Sequence, residues 1–240
     1  MEIDEYRRMA EVETSHWWYQ ATNQHLQVLL KPYLPTNGRL LDVGCGTGAV
    51  GRFLGDHGRL VGVDFEYLAL ELYNEAHPEV LLASSDAQAL PFADNSFDVS
   101  LCVTVLCHES IADPQVVVDE LARVTKPGGV VCIWEPGVKA LRRAHDRVTH
   151  SARRFSLDDL RGLAVEAELD VVEATGAHSY LIPAAAAKSL LERGATSSDL
   201  AKHQGGLGGV LQRFANAERR LLRAGRRLPV GLSVCIVARK

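Results

Sequence analysis

Leu40-Leu-Asp-Val-Gly-Cys-Gly-Thr-Gly48 is an aliphatic stretch that runs straight into three alternating glycines. The pattern predicts a buried strand ending in a tight ligand loop, with a helix next over residues 49–57. Glycine tolerates positive φ and lets backbone N–H groups approach a ligand held at the positive end of the adjoining helix. In doubly wound sheets such a loop lies at the carboxyl edge of the first strand, beside the switch point where cofactors bind.

On both sides of the loop, from Gly38 to Ala174, short β-branched or aliphatic runs alternate with segments of helical period. That alternation specifies parallel strands joined by right-handed helical crossovers. Strands are expected over 39–43, 60–64, 80–83, 98–103, 130–135 and 170–175, and helices over 49–57, 67–77, 114–125 and 156–168. Ser156 with Asp159 three residues on has the spacing of a capping box. The first 36 residues read as one or two helices stopped by Pro32 and Pro35. Between about 181 and 229 lie an Ala-rich helix, a glycine-rich turn and an Arg-rich helix, succeeded by a last strand over 232–239. In the Arg-rich helix, Leu211, Phe214, Leu221 and Leu222 have core-facing spacing.

The 240 residues carry 26 Lys plus Arg against 30 Asp plus Glu, and 47% are hydrophobic. This balance excludes a disordered chain and argues against a dedicated nucleic-acid binder, so no DNA partner is expected. Cys45, Cys102, Cys107, Cys132 and Cys235 lie mostly inside apolar runs without C-x-x-C pairing, as reduced core residues do. The opening residues lack a signal-peptide pattern, and the longest uncharged apolar stretch, 180–187, is far short of the roughly 20 residues a membrane span needs. A soluble, cytoplasmic protein without a membrane span is expected, as a monomer or homodimer.

Three acids attach chemistry to the loop. Asp64 ends the second strand 20 residues after Gly44, placed to accept bonds from a ribose diol. Asp86, after the third strand, can accept from an adenine amino group. Gly44-x-Gly46-x-x-Ala49 also satisfies a dinucleotide fingerprint. Asp42, two residues before the first glycine, argues against a dehydrogenase: it can neutralise an ammonium group, whereas near a pyrophosphate it would repel.

As a set, Leu41-Asp-Val-Gly-Cys-Gly-Thr-Gly48, Gly62-Val-Asp64, Asp86-Ala-Gln-Ala-Leu-Pro-Phe92, Ser96-Phe-Asp-Val99, Leu121-Ala-Arg-Val-Thr-Lys-Pro-Gly-Gly129 and Glu135-Pro136 resemble the class I S-adenosylmethionine-dependent methyltransferases. The resemblance spans roughly residues 38–136. It implies a Rossmann-like α/β fold with a doubly wound seven-stranded sheet whose seventh strand is antiparallel, and S-adenosylmethionine as cofactor, leaving as S-adenosylhomocysteine. Carried over by position, Asp42 and the backbone of Gly44, Cys45, Gly46 and Gly48 would hold the methionine moiety. Asp64 would take the ribose, Phe65 a face of the adenine, Asp86 and Ala87 its edge, and Val103 belongs to the same site. Glu13-Thr-Ser-His-Trp-Trp-Tyr19 resembles the opening lid helix of one branch, which often has a basic residue where this chain has Thr22. The implied division is an N-terminal helical lid (1–36), a methyltransferase core (37–180 and 230–240) and a helical insertion or cap (181–229).

Methyl transfer from an activated sulfonium needs in-line positioning of the acceptor, and a base only where the nucleophile must lose a proton. His108, after the fourth strand, can serve as that base. His145 lies in the cation-rich stretch 139–155, which could hold an anionic substrate. No metal is expected. Methylation of a small-molecule acceptor at oxygen or nitrogen is the reading. An RNA methyltransferase and a relative that binds the cofactor without methylating are the alternatives, since one scaffold hosts many chemistries.

Overall fold

The computed structural model describes residues 3–141, 149–191 and 207–240. Strands β1 (Gly38–Val43), β2 (Gly58–Asp64), β3 (Leu81–Ser84), β4 (Phe97–Val103), β5 (Thr125–Pro136), β6 (Asp170–Ala177) and β7 (Ser233–Arg239) form one sheet in the order β3-β2-β1-β4-β5-β7-β6. The first five strands pair with one another in parallel, and β7 runs antiparallel between β5 and β6. The order reverses at β1 and β4, which opens the switch-point crevice above the glycine loop.

The helices are α1 (Ile3–Val12), α2 (Trp17–Leu30), α3 (Tyr67–Ala76), α4 (Pro114–Val124), α5 (Leu157–Glu166), α6 (Ile182–Leu191) and α7 (Leu207–Arg223). Central strands are apolar at successive positions because both faces are covered, and alternate residues feed separate cores. Leu41, Val43, Val131 and Ile133 meet Val117, Val118 and Leu121 of α4 and Leu160 of α5 on one face. Leu40, Leu101, Cys132 and Trp134 meet Leu26, Leu29 and Leu30 of α2 on the other. Both bonds of the Ser156–Asp159 capping box are made, and all five cysteines are buried and free.

Three sequence expectations are corrected. Residues 49–57 are not an α-helix: turns lead into a 3-10 helix, Arg52–His57. Gly48 and Gly51, at φ 89° and 94°, break the right-handed path, and a Cβ on Gly51 would stand 2.2 Å from Asp42 Oδ2. The loop therefore has no α-helix N-terminus behind it, and the dipole reasoning does not apply. Strand β5 begins at Thr125 rather than near 130, because Phe97 pairs with Thr125 before the register shifts. In α7 the inward stripe is Leu211, Ala215, Glu218 and Leu222, which pack toward α2 and β6, while Phe214 and Leu221 are 54% and 47% exposed. Phe214 instead stacks on Tyr180 at 5.8 Å.

Candidate active site

Gly44, Gly46 and Gly48 adopt φ values of 70°, 54° and 89°. Two of them are also pressed by neighbours: a Cβ on Gly44 would meet Val105 Cγ2 at 2.2 Å, and one on Gly48 the Tyr73 ring at 2.5 Å. The loop is tied to the end of β2, since the N–H groups of Gly44 and Cys45 donate to the Val63 carbonyl at 2.8 and 3.0 Å.

Asp42 lies beneath this loop, 2% exposed, and its Oδ2 has no hydrogen-bond partner among the described residues. Burial, reinforced by nearby Asp64, holds its carboxyl well above the usual carboxylate range. Asp64 accepts from the Gly46 N–H at 2.8 Å through Oδ2 and from the Glu66 N–H at 2.9 Å through Oδ1. Burial raises its pKa, and those N–H bonds pull it back. A carboxylate offers about four acceptor positions, so two remain for a ligand. Phe65 stands 78% exposed beside it. Asp86 is exposed and accepts from the Gln88 N–H at 2.8 Å, while Ala87, Cys45 and Val103 are buried. Burial pushes the Cys45 thiol up.

The N-terminal segment reaches this loop through pairings that no sequence motif specifies. Thr47 Oγ1 donates to the Glu13 carboxylate, and Asn23 Nδ2 of α2 donates to the Ala49 carbonyl at 2.6 Å. A Cβ on Gly46 would stand 3.8 Å from Met9 Cε of α1. Such contacts join residues far apart in sequence and leave no spacing signal. A polar cleft of about 1020 Å³ opens on the far side of Gly48, lined by Gln20, Asn23, Gln24, Arg52 and Arg59 among others. Of the expected cofactor residues, only Gly48 borders it.

Beyond β4 the chain turns at Thr104, φ 56°, and the N–H groups of Val105, Leu106 and Cys107 converge on the Glu135 carboxylate at 2.9, 2.8 and 3.1 Å. Glu135, at the end of β5, is fully buried, and burial pushes its pKa up to about 8 against the pull of those donors. Nothing in the sequence assigns Glu135 a role. In the fold it fixes the loop that presents His108. Burial lowers the His108 pKa, and the backbone of Thr149 and His150 lies against its ring. His145 lies outside the described residues. Of the cations in 139–155, Lys139 pairs with Asp159 at 2.7 Å, Arg153 donates to the Ile111 carbonyl at 2.8 Å and Arg154 to the Gly137 carbonyl at 2.9 Å. These three hold the loop to the core rather than pointing at an open site.

Residues 41–133 match the family model described as a methyltransferase domain. The chain is 38% identical over 99 residues to a demethylmenaquinone methyltransferase of Renibacterium salmoninarum, a match covering 40% of each protein. It is 29% identical over 185 residues to an uncharacterized methyltransferase of Schizosaccharomyces pombe, covering 65% of each. The chain thus spans less than two thirds of either relative's length. An S-adenosylmethionine-dependent methyltransferase of Thermotoga maritima, described as a possible histamine N-methyltransferase, superimposes with TM-score 0.62 at 20% identity, over 99% of this chain and 96% of that one. Residues 41–133 are thus similar to a methyltransferase domain, and the sheet with its antiparallel seventh strand is the fold of the superimposed structure. Among the described residues no helix is long and apolar enough to cross a membrane.

Proposed function

We propose that the protein transfers a methyl group from S-adenosylmethionine to an oxygen or nitrogen of a small-molecule acceptor. The observation that carries this reading is Asp42: a buried carboxyl with an orphaned oxygen beneath a positive-φ glycine loop, whose ionisation burial and Asp64 oppose, is a group that an ammonium-bearing ligand would draw into its charged form and that a pyrophosphate would not. The donor set fits the cofactor. Asp42 and the loop backbone would hold its amino-acid end, Asp64 retains acceptor capacity for the ribose, and the exposed Phe65 ring offers a face to the adenine. Asp86 and Ala87 would meet the adenine edge, with Val103 behind it. When bound, S-adenosylmethionine supplies an activated methyl on its sulfonium. The chain's own task is to cover the site with Met9 of α1 and Glu13 just beyond it, exclude water, and hold the acceptor near the loop after β4. His108, whose neutral form burial favours, would take a proton from the acceptor.

A small acceptor is favoured over RNA because acids outnumber bases, 30 to 26, with no basic surplus to bind phosphates. Titration calorimetry against S-adenosylmethionine, S-adenosylhomocysteine, NAD and NADH tests the reading. The first two should bind and the nicotinamides should not. Tight NADH binding without a response to S-adenosylhomocysteine would overturn it.

Asp64→Ala should weaken cofactor binding by about 1.5 to 3 kcal/mol, the range for lost bonds to a charged acceptor. Asp64→Asn should cost less, because an amide oxygen still accepts. An unchanged dissociation constant for the alanine variant would remove Asp64 from the site.

A further inference from the structure

Outside the residues of the candidate active site, a group of buried polar side chains lies between α2, the end of β6 and α7. His25 and His178 are fully buried and Glu218 is 5% exposed. One potential ligand atom from each lies within 4.8 Å of the others. His25 Nε2 is 3.5 Å from Glu218 Oε1. Beyond the Ala21 backbone and Glu218, the His25 ring nitrogens have no partner among the described residues, and His178 Nδ1 has none. An unsatisfied buried imidazole nitrogen is costly unless something completes it.

We propose that His25, His178 and Glu218 form a Zn²⁺ site that pins α2 and α7 to the end of β6. Two imidazoles and one carboxylate are a zinc donor set that leaves one position of a tetrahedral ion for a further ligand. At zinc-ligand distances of about 2.0 to 2.2 Å, tetrahedral ligand atoms stand about 3.3 to 3.6 Å apart, a spacing that the His25–Glu218 pair already has. The remaining separation closes with a side-chain adjustment of about an ångström, judged from the same bond lengths.

The surroundings are those of a ligating site. Thr22 Oγ1 lies 3.1 Å from His178 Nε2, so the hydroxyl can accept from Nε2–H and fix the tautomer whose Nδ1 lone pair is free for a metal. Glu218 is oriented by the N–H groups of His178 and Ser179, at 2.6 and 3.0 Å. Trp134 stacks on His25 at 6.4 Å between ring centroids, and Trp18 and Tyr180 flank His178 at 6.0 and 6.2 Å. The three ligands come from positions 25, 178 and 218, which explains why no spacing announces them and why the sequence points to no metal.

The alternative is a metal-free contact in which His25 and Glu218 share a proton. The full chain, stripped with chelator, separates the two when titrated with Zn²⁺ by calorimetry and with Co²⁺ by absorption spectroscopy. No cofactor or acceptor is present, so the result is independent of the methyl-transfer reading. The expected result is one Zn²⁺ per chain, a raised unfolding temperature, and the intense visible bands of tetrahedral Co²⁺ with nitrogen and oxygen ligands. Thr22→Val should weaken Zn²⁺ binding by about ten- to a hundredfold, and His25→Phe by more. His178→Asn suits the left-handed backbone at that position, φ 56°, and should also lose binding. His77→Ala removes a ring bonded to Arg52 away from the site and should change nothing. Failure of the folded wild-type chain to take up Zn²⁺, an octahedral Co²⁺ spectrum, or uptake undiminished in both Thr22→Val and His25→Phe would overturn the proposal.

Discussion

Replacing Glu135 with alanine should destabilise the protein by at least about 3 kcal/mol, because three buried N–H groups lose their acceptor at about 1 to 3 kcal/mol each. The donors belong to Val105, Leu106 and Cys107, all buried in the loop that leads to His108. Glu135→Gln should cost less, about 1 to 3 kcal/mol, since its amide oxygen can serve Val105 and Leu106 while its NH₂ faces the Cys107 N–H. The raised carboxyl sets the sign of the pH dependence. Its pKa is about 8 in the fold against an ordinary value of 4.5, so the folded state keeps a proton that the unfolded chain has released. That contribution is fully present below 4.5 and is lost as pH rises through 8. Urea unfolding at about pH 5 and pH 8 should show a steeper decline for wild type than for Glu135→Gln. An alanine variant within about 1 kcal/mol of wild type would mean that the loop finds other partners.

His108→Ala should lower kcat by about a hundredfold or more if the histidine takes a proton from a hydroxyl or ammonium acceptor, with cofactor affinity hardly moved. Burial lowers its pKa below the ordinary 6.5, so the wild-type rate should rise through a pKa on the acid side of that value and then level off. The variant should lose that acid limb. If His108 only orients its loop, turnover and affinity should instead fall together and by less, without a change in the pH profile. Unchanged turnover would show that positioning alone carries the reaction and would remove His108 from the catalytic residues.

The strands are legible in the sequence because both faces of this sheet are buried: their aliphatic runs have little freedom to be anything else. β2 and β4 are found within two residues of their expected limits. The glycine loop is legible for a different reason, since Gly44 and Gly48 stand where any side chain would strike Val105 or Tyr73. Residues 49–57 mislead, because their helical period says nothing of the left-handed turn that Asp42 requires at Gly51. The face of α7 misleads because a large ring at Phe214 looks like core. Its partner is the Tyr180 ring near the surface, while the small Ala215 and the acid Glu218 face inward. The most consequential polar contacts, Glu135 with the loop 105–107 and Thr47 with Glu13, join residues 28 to 34 positions apart. Periodicity carries no trace of such pairs.

The placement of β7 also bears on how the chain acquires its fold in time. Val130 pairs with Arg239 and Asp170 pairs with the same residue from the other side, so β6 has no strand neighbour until 233–239 has been made. A chain still on the ribosome can assemble β1 to β5 with their helices, but it must carry an open edge on β5 and an unpartnered β6 meanwhile. Closing a loop of about a hundred residues to seat one antiparallel strand is slow compared with helix formation. The period of greatest exposure to aggregation therefore falls between the synthesis of β5 and that of β7, after most of the sheet is already built.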